Sequence, residues 1–251
     1  VHVAAAAGQP PAGACLAIVP AAGSVSLLGA GRPKALVEVG GQSLVGHAVV
    51  RMSAAGCVDR IIVTHPAAER EQFAAAITAS VGTHPAVPVE LIPGGSTRQA
   101  SVANALAGVG VEFDVVLVHA AARAMAPAAL VRRVHDAVRA GHGAVVPGVP
   151  VSDTVKQVAS PTGAGAKVVA TVDRTRLRAI QTPQGFHREL LRRAHAAAAD
   201  RGNDEGLAAT DDAGLVEALG AEVWLGTGEE EARKITVPAD LLWAEALLSR
   251  P

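Results

Sequence analysis

The sequence predicts an α/β fold, a mostly parallel sheet flanked by helices. Short apolar runs alternate with segments of helical period along nearly the whole chain, the order expected of strands joined by crossover helices. Three of those runs end in loops of small or polar residues, at 21–24, 94–98 and 119–123. Ligands of open α/β sheets bind at the carboxyl ends of strands, so these loops are expected to meet in one crevice. With 251 residues, half of them apolar, the chain can bury a full core without staples.

Each element follows from local pattern. Residues 16–19 form a short apolar run that reads as a buried strand. An extended piece at 35–39 ends on Gly40-Gly41, and Ser43 caps a helix running to about residue 55. Leu44, Ala48 and Met52 fall at four-residue spacing on its buried face. Strands are expected at 60–64, 88–92, 114–118 and 144–147, with helices at 67–80, 98–107 and 127–140 between them. Residues 149–182 break the pattern. Runs at 154–158 and 167–172 flank the turn Pro161-Thr162-Gly163-Ala164-Gly165, which predicts a protruding β-hairpin arm. Two-stranded hairpins rarely stand alone, so a second subunit is the simplest source of the missing contacts. Helices at 190–199 and 210–219, a strand at 222–225 and a closing helix at 238–249 complete the order, the last opened by Pro238.

Composition excludes several function classes. A net charge of -1 supplies no basic excess for a phosphate backbone, and aromatics at 2% supply few stacking platforms, so no nucleic-acid partner is expected. Cys15 and Cys57 are too few for a disulfide framework and read as reduced thiols of a cytoplasmic protein. No apolar stretch is long enough to span a membrane. Residues 1–14, rich in Ala, Gly and Pro, read as a disordered leader to a single domain at 15–251, the arm included.

The most informative stretch is 16–34. After its strand come Ala21, Ala22, Gly23 and Ser24, whose small side chains let backbone N–H groups approach phosphate oxygens. Pro33 blocks an immediate helix and Lys34 adds a point charge suited to phosphate. A Walker loop does not fit, because Lys34 follows Pro33 and precedes Ala35. A dinucleotide fingerprint fails as well, since Gly29-Ala30-Gly31 is followed by neither a third glycine nor a helix. Farther on, the turn Gly94-Gly95 feeds a helix start, a place where free N–H donors gather.

These motifs in this order resemble the nucleotide-sugar pyrophosphorylase-like transferases, and within them the 2-C-methyl-D-erythritol 4-phosphate cytidylyltransferases. The stretch 20–34 is similar to P-A-A-G-x-G-x-R-x-x-x-x-x-P-K, with Val25 in place of the second glycine and Leu27 in place of the arginine. Gly94-Gly95-x-x-Arg98-x-x-Ser101 matches G-G-x-x-R-x-x-S, and 118–123 matches V-H-D-A-A-R with Ala120 for the aspartate. Asp153-Thr154-Val155-Lys156, Thr171-Val172-Asp173-Arg174 and Thr182-Pro183-Gln184 match D-T-x-K, T-V-D-R and T-P-Q. Arg233-Lys234-Ile235-Thr236 is similar to N-x-K-[VI]-T without its asparagine.

The resemblance implies a Rossmann-like sheet of the nucleotide-diphospho-sugar transferase type and a homodimer built through the arm. It implies transfer of CMP from CTP to 2-C-methyl-D-erythritol 4-phosphate, with Mg2+ on the triphosphate. Lys34 and Lys234 would be catalytic. Ala21, Ala22, Gly23, Gly95 and Ser101 would bind CTP, and Arg123, Thr154, Arg174 and Thr182 the polyol phosphate. No residue of the chain is assigned as a metal ligand, and His119 receives no catalytic role. Val25, Leu27 and Ala120 all fall on the nucleotide side, so a homologue that keeps fold and dimer with crippled catalysis is an alternative reading. A ribitol 5-phosphate cytidylyltransferase is another.

Overall fold

In the computed structural model, residues 12–22, 33–83, 85–160, 163 and 165–249 are described. The leader except for its last three residues, the loop 23–32 with Gly23, Val25 and Leu27, and most of the arm's turn therefore lie outside the described residues. Strand β1 (Ala14–Pro20) organises the rest, and it begins one residue inside the stretch expected to be leader. Successive side chains of a strand point to opposite faces. Cys15, Ala17 and Val19 accordingly join one core cluster, while Ala14, Leu16 and Ile18 join another. Every residue of β1 from Ala14 to Val19 is buried, as its near-continuous apolar sequence requires of a central strand.

After β1 the chain makes a two-residue ribbon, β2 (Glu38–Val39) and β3 (Gln42–Ser43), where a single extended piece was expected. Helix α1 (Leu44–Ala54) follows, and the Ser43 hydroxyl accepts the Gly46 N–H at 3.0 Å as the cap predicted from sequence. Then come β4 (Arg60–His65), α2 (Arg70–Val81), β5 (Val89–Pro93), α3 (Arg98–Ala107), β6 (Phe113–Val118), α4 (Ala128–Arg139) and β7 (Ala144–Pro150). The arm supplies β8 (Lys156–Val158) and β9 (Val168–Thr171), paired antiparallel only with each other. The chain returns through β10 (Arg178–Ile180) and β11 (Gln184–His187), then α5 (Arg188–Ala197), α6 (Asp212–Ala218), β12 (Trp224–Thr227) and α7 (Pro238–Leu248).

Among the described residues the main sheet has eight strands in the order β10-β7-β11-β6-β1-β4-β5, with β12 alongside β7. Strands β6, β1, β4 and β5 run parallel, but β11 lies antiparallel between β6 and β7, and β10 antiparallel on β7. The sheet is mixed rather than purely parallel. Gly185 in β11 is what lets α4 sit close: a Cβ there would approach Val134 Cγ1 to 2.7 Å and Val138 Cγ2 to 2.9 Å. Helices α1, α2 and α4 cover one face through Met52, Ile77 and Leu130, and α3, α5 and α6 the other through Val102, Leu191 and Val216. A third cluster, with Val39, Met125, Ile235 and Ala244, seats α7 beside the ribbon. No helix among the described residues is long and apolar enough to cross a membrane.

Candidate active site

A cavity of ≈ 240 Å³ opens at the carboxyl end of the parallel strands. Its first wall is the exit from β1, where Ala21 donates its N–H to the Thr64 carbonyl at 3.1 Å and Ala22 follows. Its second is the Gly94-Gly95 turn after β5. A Cβ on Gly94 would collide with the Ala22 side chain, and one on Gly95 would come within 2.9 Å of the Ala100 carbonyl carbon. Glycine is needed here for space, because the turn packs against Ala22 on one side and the first turn of helix α3 on the other. The third wall is 120–122 after β6, and Lys34 and Lys234 close the site from two further segments.

The cavity thus unites Ala21, Ala22, Lys34, Gly95, Ser101 and Lys234 from the set expected on sequence. The N–H donors of the turn are partly occupied: Gly95 donates to Ser101 Oγ at 3.0 Å, and Ala100 to Thr97 Oγ1 at 3.0 Å. The Ser101 hydroxyl donates in turn to the Thr97 carbonyl at 2.8 Å. Lys34 has its pKa lowered by burial and then by the charge of Lys234. Lys234 is lowered by burial and by Arg123 and Arg98. Arg98 is paired with Asp212 and Asp240 offsets part of the charge at Lys34, but Lys34 and Lys234 still repel one another across one cavity, an arrangement that suits a polyanion.

Arg123 and Thr182 do not line the cavity. One Arg123 nitrogen donates to the Ala232 carbonyl at 2.7 Å and another to the Ile180 carbonyl at 2.8 Å, and burial lowers its pKa to about 10. The guanidinium therefore joins the segment carrying Lys234 to strand β10. Thr182 Oγ1 accepts the Ala120 N–H at 3.0 Å and lies 3.1 Å from His119 Nδ1. Its hydroxyl proton is then free to donate to a neutral imidazole. Burial, then the charge of Arg123, lowers the His119 pKa to about 4, consistent with that neutral form.

Thr154 and Arg174 lie elsewhere, exposed at the root of the arm. Arg174 donates to the Ser152 carbonyl there, and Asp173 caps the following turn through the Thr175 N–H at 3.0 Å. Every residue of β8 and β9 is exposed, including Val158, Val168 and Val169.

Two residues of the lining were given no role from sequence, Arg98, quoted only as part of its motif, and Glu205. Arg98 lines the cavity and donates to Asp212 at 2.5 Å, while His195 Nε2 holds the other carboxylate oxygen at 2.8 Å. Burial alone would raise the Asp212 pKa, but Arg98 and His195 hold it down to about 2. Glu205 lines the same cavity from the connection between α5 and α6. Local pattern carries no signal for it, since only long-range bonds bring it there. For a divalent cation the walls offer little: among the described residues no three His, Cys, Asp or Glu side chains form a metal-holding group, and Ala120 contributes a methyl. The protein's own donor set does not fit a metal cage. Both thiols are free, with Cys57 pushed up to about 11 by burial.

Comparison with known proteins matches this architecture from end to end. Residues 15–250 match the family model described as 2-C-methyl-D-erythritol 4-phosphate cytidylyltransferase. Proteins of that name from Streptomyces coelicolor and Nocardia farcinica are 45% identical over 250 residues and 47% identical over 238. The first match covers 97% of this chain and 88% of the relative, the second 95% of each. A crystal structure of 2-C-methyl-D-erythritol 4-phosphate cytidylyltransferase from Thermus thermophilus superposes with a TM-score of 0.71 at 36% identity, covering 95% of this chain and 98% of that one. The structure of a 4-diphosphocytidyl-2C-methyl-D-erythritol synthase from Anaerococcus prevotii reaches 0.77 at 25% identity, covering 95% and 99%.

Proposed function

The chain belongs to the 2-C-methyl-D-erythritol 4-phosphate cytidylyltransferase family, and from that premise we propose that it transfers CMP from CTP to 2-C-methyl-D-erythritol 4-phosphate. A phosphate oxygen of the polyol phosphate attacks the α-phosphorus of CTP, the bond from that phosphorus to the bridging oxygen of the β-phosphate breaks, and pyrophosphate leaves. The product is 4-diphosphocytidyl-2-C-methyl-D-erythritol. The observation that carries this reading is Lys34 and Lys234 in one cavity with Gly95 and Ser101.

The chemistry needs alignment of two anions and neutralisation of charge at phosphorus. Lys34 and Lys234 supply the charge, and their mutual repulsion is relieved when a triphosphate enters between them. In this reading Ala21, Ala22, Gly95 and Ser101 of the cavity bind the nucleotide, together with Gly23, which lies outside the described residues. Arg123 and Thr182 act by positioning, one through the Lys234 segment and the other through the Ala120 backbone. Mg2+ would supply further charge neutralisation on the triphosphate without a cage of side chains, because magnesium keeps several waters and uses few protein ligands.

Thr154 and Arg174 serve the polyol phosphate of a neighbouring subunit in a cytoplasmic homodimer joined through the arm, with residues 15–251 as one domain. Arginine suits that task, since its planar fork grips phosphate bidentately. No nucleic-acid or membrane partner enters this reading.

The test is pyrophosphate release from CTP, Mg2+ and 2-C-methyl-D-erythritol 4-phosphate, with ribitol 5-phosphate as the competing acceptor. Turnover of about 1 s⁻¹ or more with the first acceptor is expected. No release with it, or faster release with ribitol 5-phosphate, overturns the proposal. Ala120 in the cavity wall favours a slow enzyme as the second reading. Ala120→Asp is then expected to raise kcat, and an unchanged kcat would remove that reading.

A further inference from the structure

Lys234 is carried by the irregular connection 233–237, between the turn that ends at Ala232 and helix α7. Ala232 and Ile235 are buried, whereas Lys234 is exposed and lines the cavity. The Ile235 N–H donates to the Ala122 carbonyl at 2.8 Å, and Arg123 donates to the Ala232 carbonyl at 2.7 Å. These bonds hold the connection against the segment 120–123. They leave Arg233, Thr236 and Val237 to another partner.

One carboxylate takes all three. Asp240 Oδ2 accepts the Thr236 N–H at 2.7 Å, the Thr236 hydroxyl at 2.9 Å and the Val237 N–H at 3.0 Å. An Arg233 guanidinium nitrogen lies 3.0 Å from Oδ1. Burial alone would raise the Asp240 pKa, but the donors of Val237 and Thr236 and the charge of Arg233 hold it below the usual carboxylate range. The bond to the Val237 N–H is half of a capping box, and the start of α7 accounts for it. The pairing with Arg233 has no such account, because it reaches back past Lys234.

We propose that Asp240 is the positioning residue for Lys234: by bonding Arg233 before it and Thr236 and Val237 after it, one carboxylate fixes the backbone that presents this lysine to an anion in the cavity. The inference rests on the reading of Lys234 given above. Charge and geometry then act in opposite directions, which makes the role measurable. The Asp240 charge partly offsets that of Lys34, so removing it leaves the cavity more positive and by charge alone tightens an anion. Releasing the turn gives up charge-assisted hydrogen bonds, lets Lys234 swing away and loosens the anion.

The experiment is a double-mutant cycle of Asp240→Asn with Lys234→Ala on the full chain, read by calorimetric titration of inorganic triphosphate and of CTP. Asparagine keeps an oxygen for the N–H groups of the turn and removes the charge. Asp240→Asn alone is expected to weaken both anions about tenfold, and to weaken neither once Lys234 is alanine. Unchanged or tighter binding in the single variant overturns the inference, as does equal weakening in both backgrounds, the result of a merely structural role. Thr236→Val, which removes one donor and keeps the side-chain shape, should repeat the pattern at about threefold and carries the test if Asp240→Asn does not fold. If the cycle behaves as expected while the unaltered protein releases no pyrophosphate, the positioning stands and the proposed reaction fails. If pyrophosphate is released and the two losses simply add, the reaction stands and the positioning fails.

Discussion

The wall around α3 and the arm formed by β8 and β9 are opposites built from the same chain. In the wall, every side chain from Ser96 to Gln99 is bonded to the 198–212 stretch, and Asp212 is wholly buried under Arg98 and His195. In the arm, all residues of both strands are exposed, and valines face outward at 50%, 52% and 60% exposure. The wall holds groups that line the cavity; the arm holds Thr154 and Arg174, which do not. One part of the proposed site is gathered within this chain, and the other lies on an exposed arm, which is why a second subunit enters the proposal.

The contrast can be broken or sharpened by four measurements, taken from the largest expected effect to the smallest. Asp212→Ala strikes the wall where it is most committed. Removing one partner of a buried pair leaves Arg98 and His195 uncompensated, so urea unfolding should show a loss of about 3–5 kcal/mol. A loss under about 1 kcal/mol would mean the wall is no firmer than the surface.

Arg174→Ala strikes the arm. Turnover should drop roughly 10²- to 10³-fold, with CTP affinity unchanged, if its guanidinium holds the second substrate. Mixing this variant with Lys34→Ala should restore activity to about a quarter of the wild-type level, because half the dimers are then mixed and each carries one intact site. No restoration would place Arg174 in its own subunit's reaction.

The third concerns His119, behind the wall of 120–122. Its folded pKa near 4 lies below the unfolded value of about 6.5, so the unfolded chain binds the proton first. The stability it contributes is fully present above about pH 6.5 and is lost as the pH falls toward about 4. The loss amounts to about 3 kcal/mol at 1.36 kcal/mol per unit. Unfolding free energies between pH 7 and 4 check this, and His119→Asn should flatten that limb.

Smallest is Val169→Ser in the arm, expected to shift unfolding of the isolated subunit by no more than about 0.5 kcal/mol. The same change should weaken self-association in sedimentation equilibrium. A large loss of subunit stability would contradict the arm's independence from the core.

The two regions also differ in how much of them could be read from sequence. Helix α3 occupies the residues expected, because Thr97 and Gly108 punctuate it locally. The strands of the parallel half announced themselves through β-branched apolar runs. By contrast β10 and β11 are three and four residues long, and neither alternates in the way a half-buried strand should. Gln184 sits in β11 because it donates to Asp211 at 2.7 Å and accepts the Ala213 N–H at 3.2 Å, partners that no local window contains.

The cavity shows the same division. Lys34, Gly95, Ser101 and Lys234 were legible from motifs, whereas Glu205 and Asp212 owe their places to side chains about a hundred residues away. The hydrogen bonds of Arg123 were not legible. Both of its hydrogen bonds go to backbone carbonyls, whose positions depend on the assembled sheet.

That guanidinium is a tie rod. One end grips the carbonyl of Ile180, in the strand by which the arm re-enters the sheet, and the other grips Ala232, two residues before Lys234. A rigid planar group of fixed span cannot let the two backbones drift apart without giving up a charge-assisted bond at one end. Tension applied where the arm leaves the body is therefore transmitted to the stretch of chain that aims the lysine.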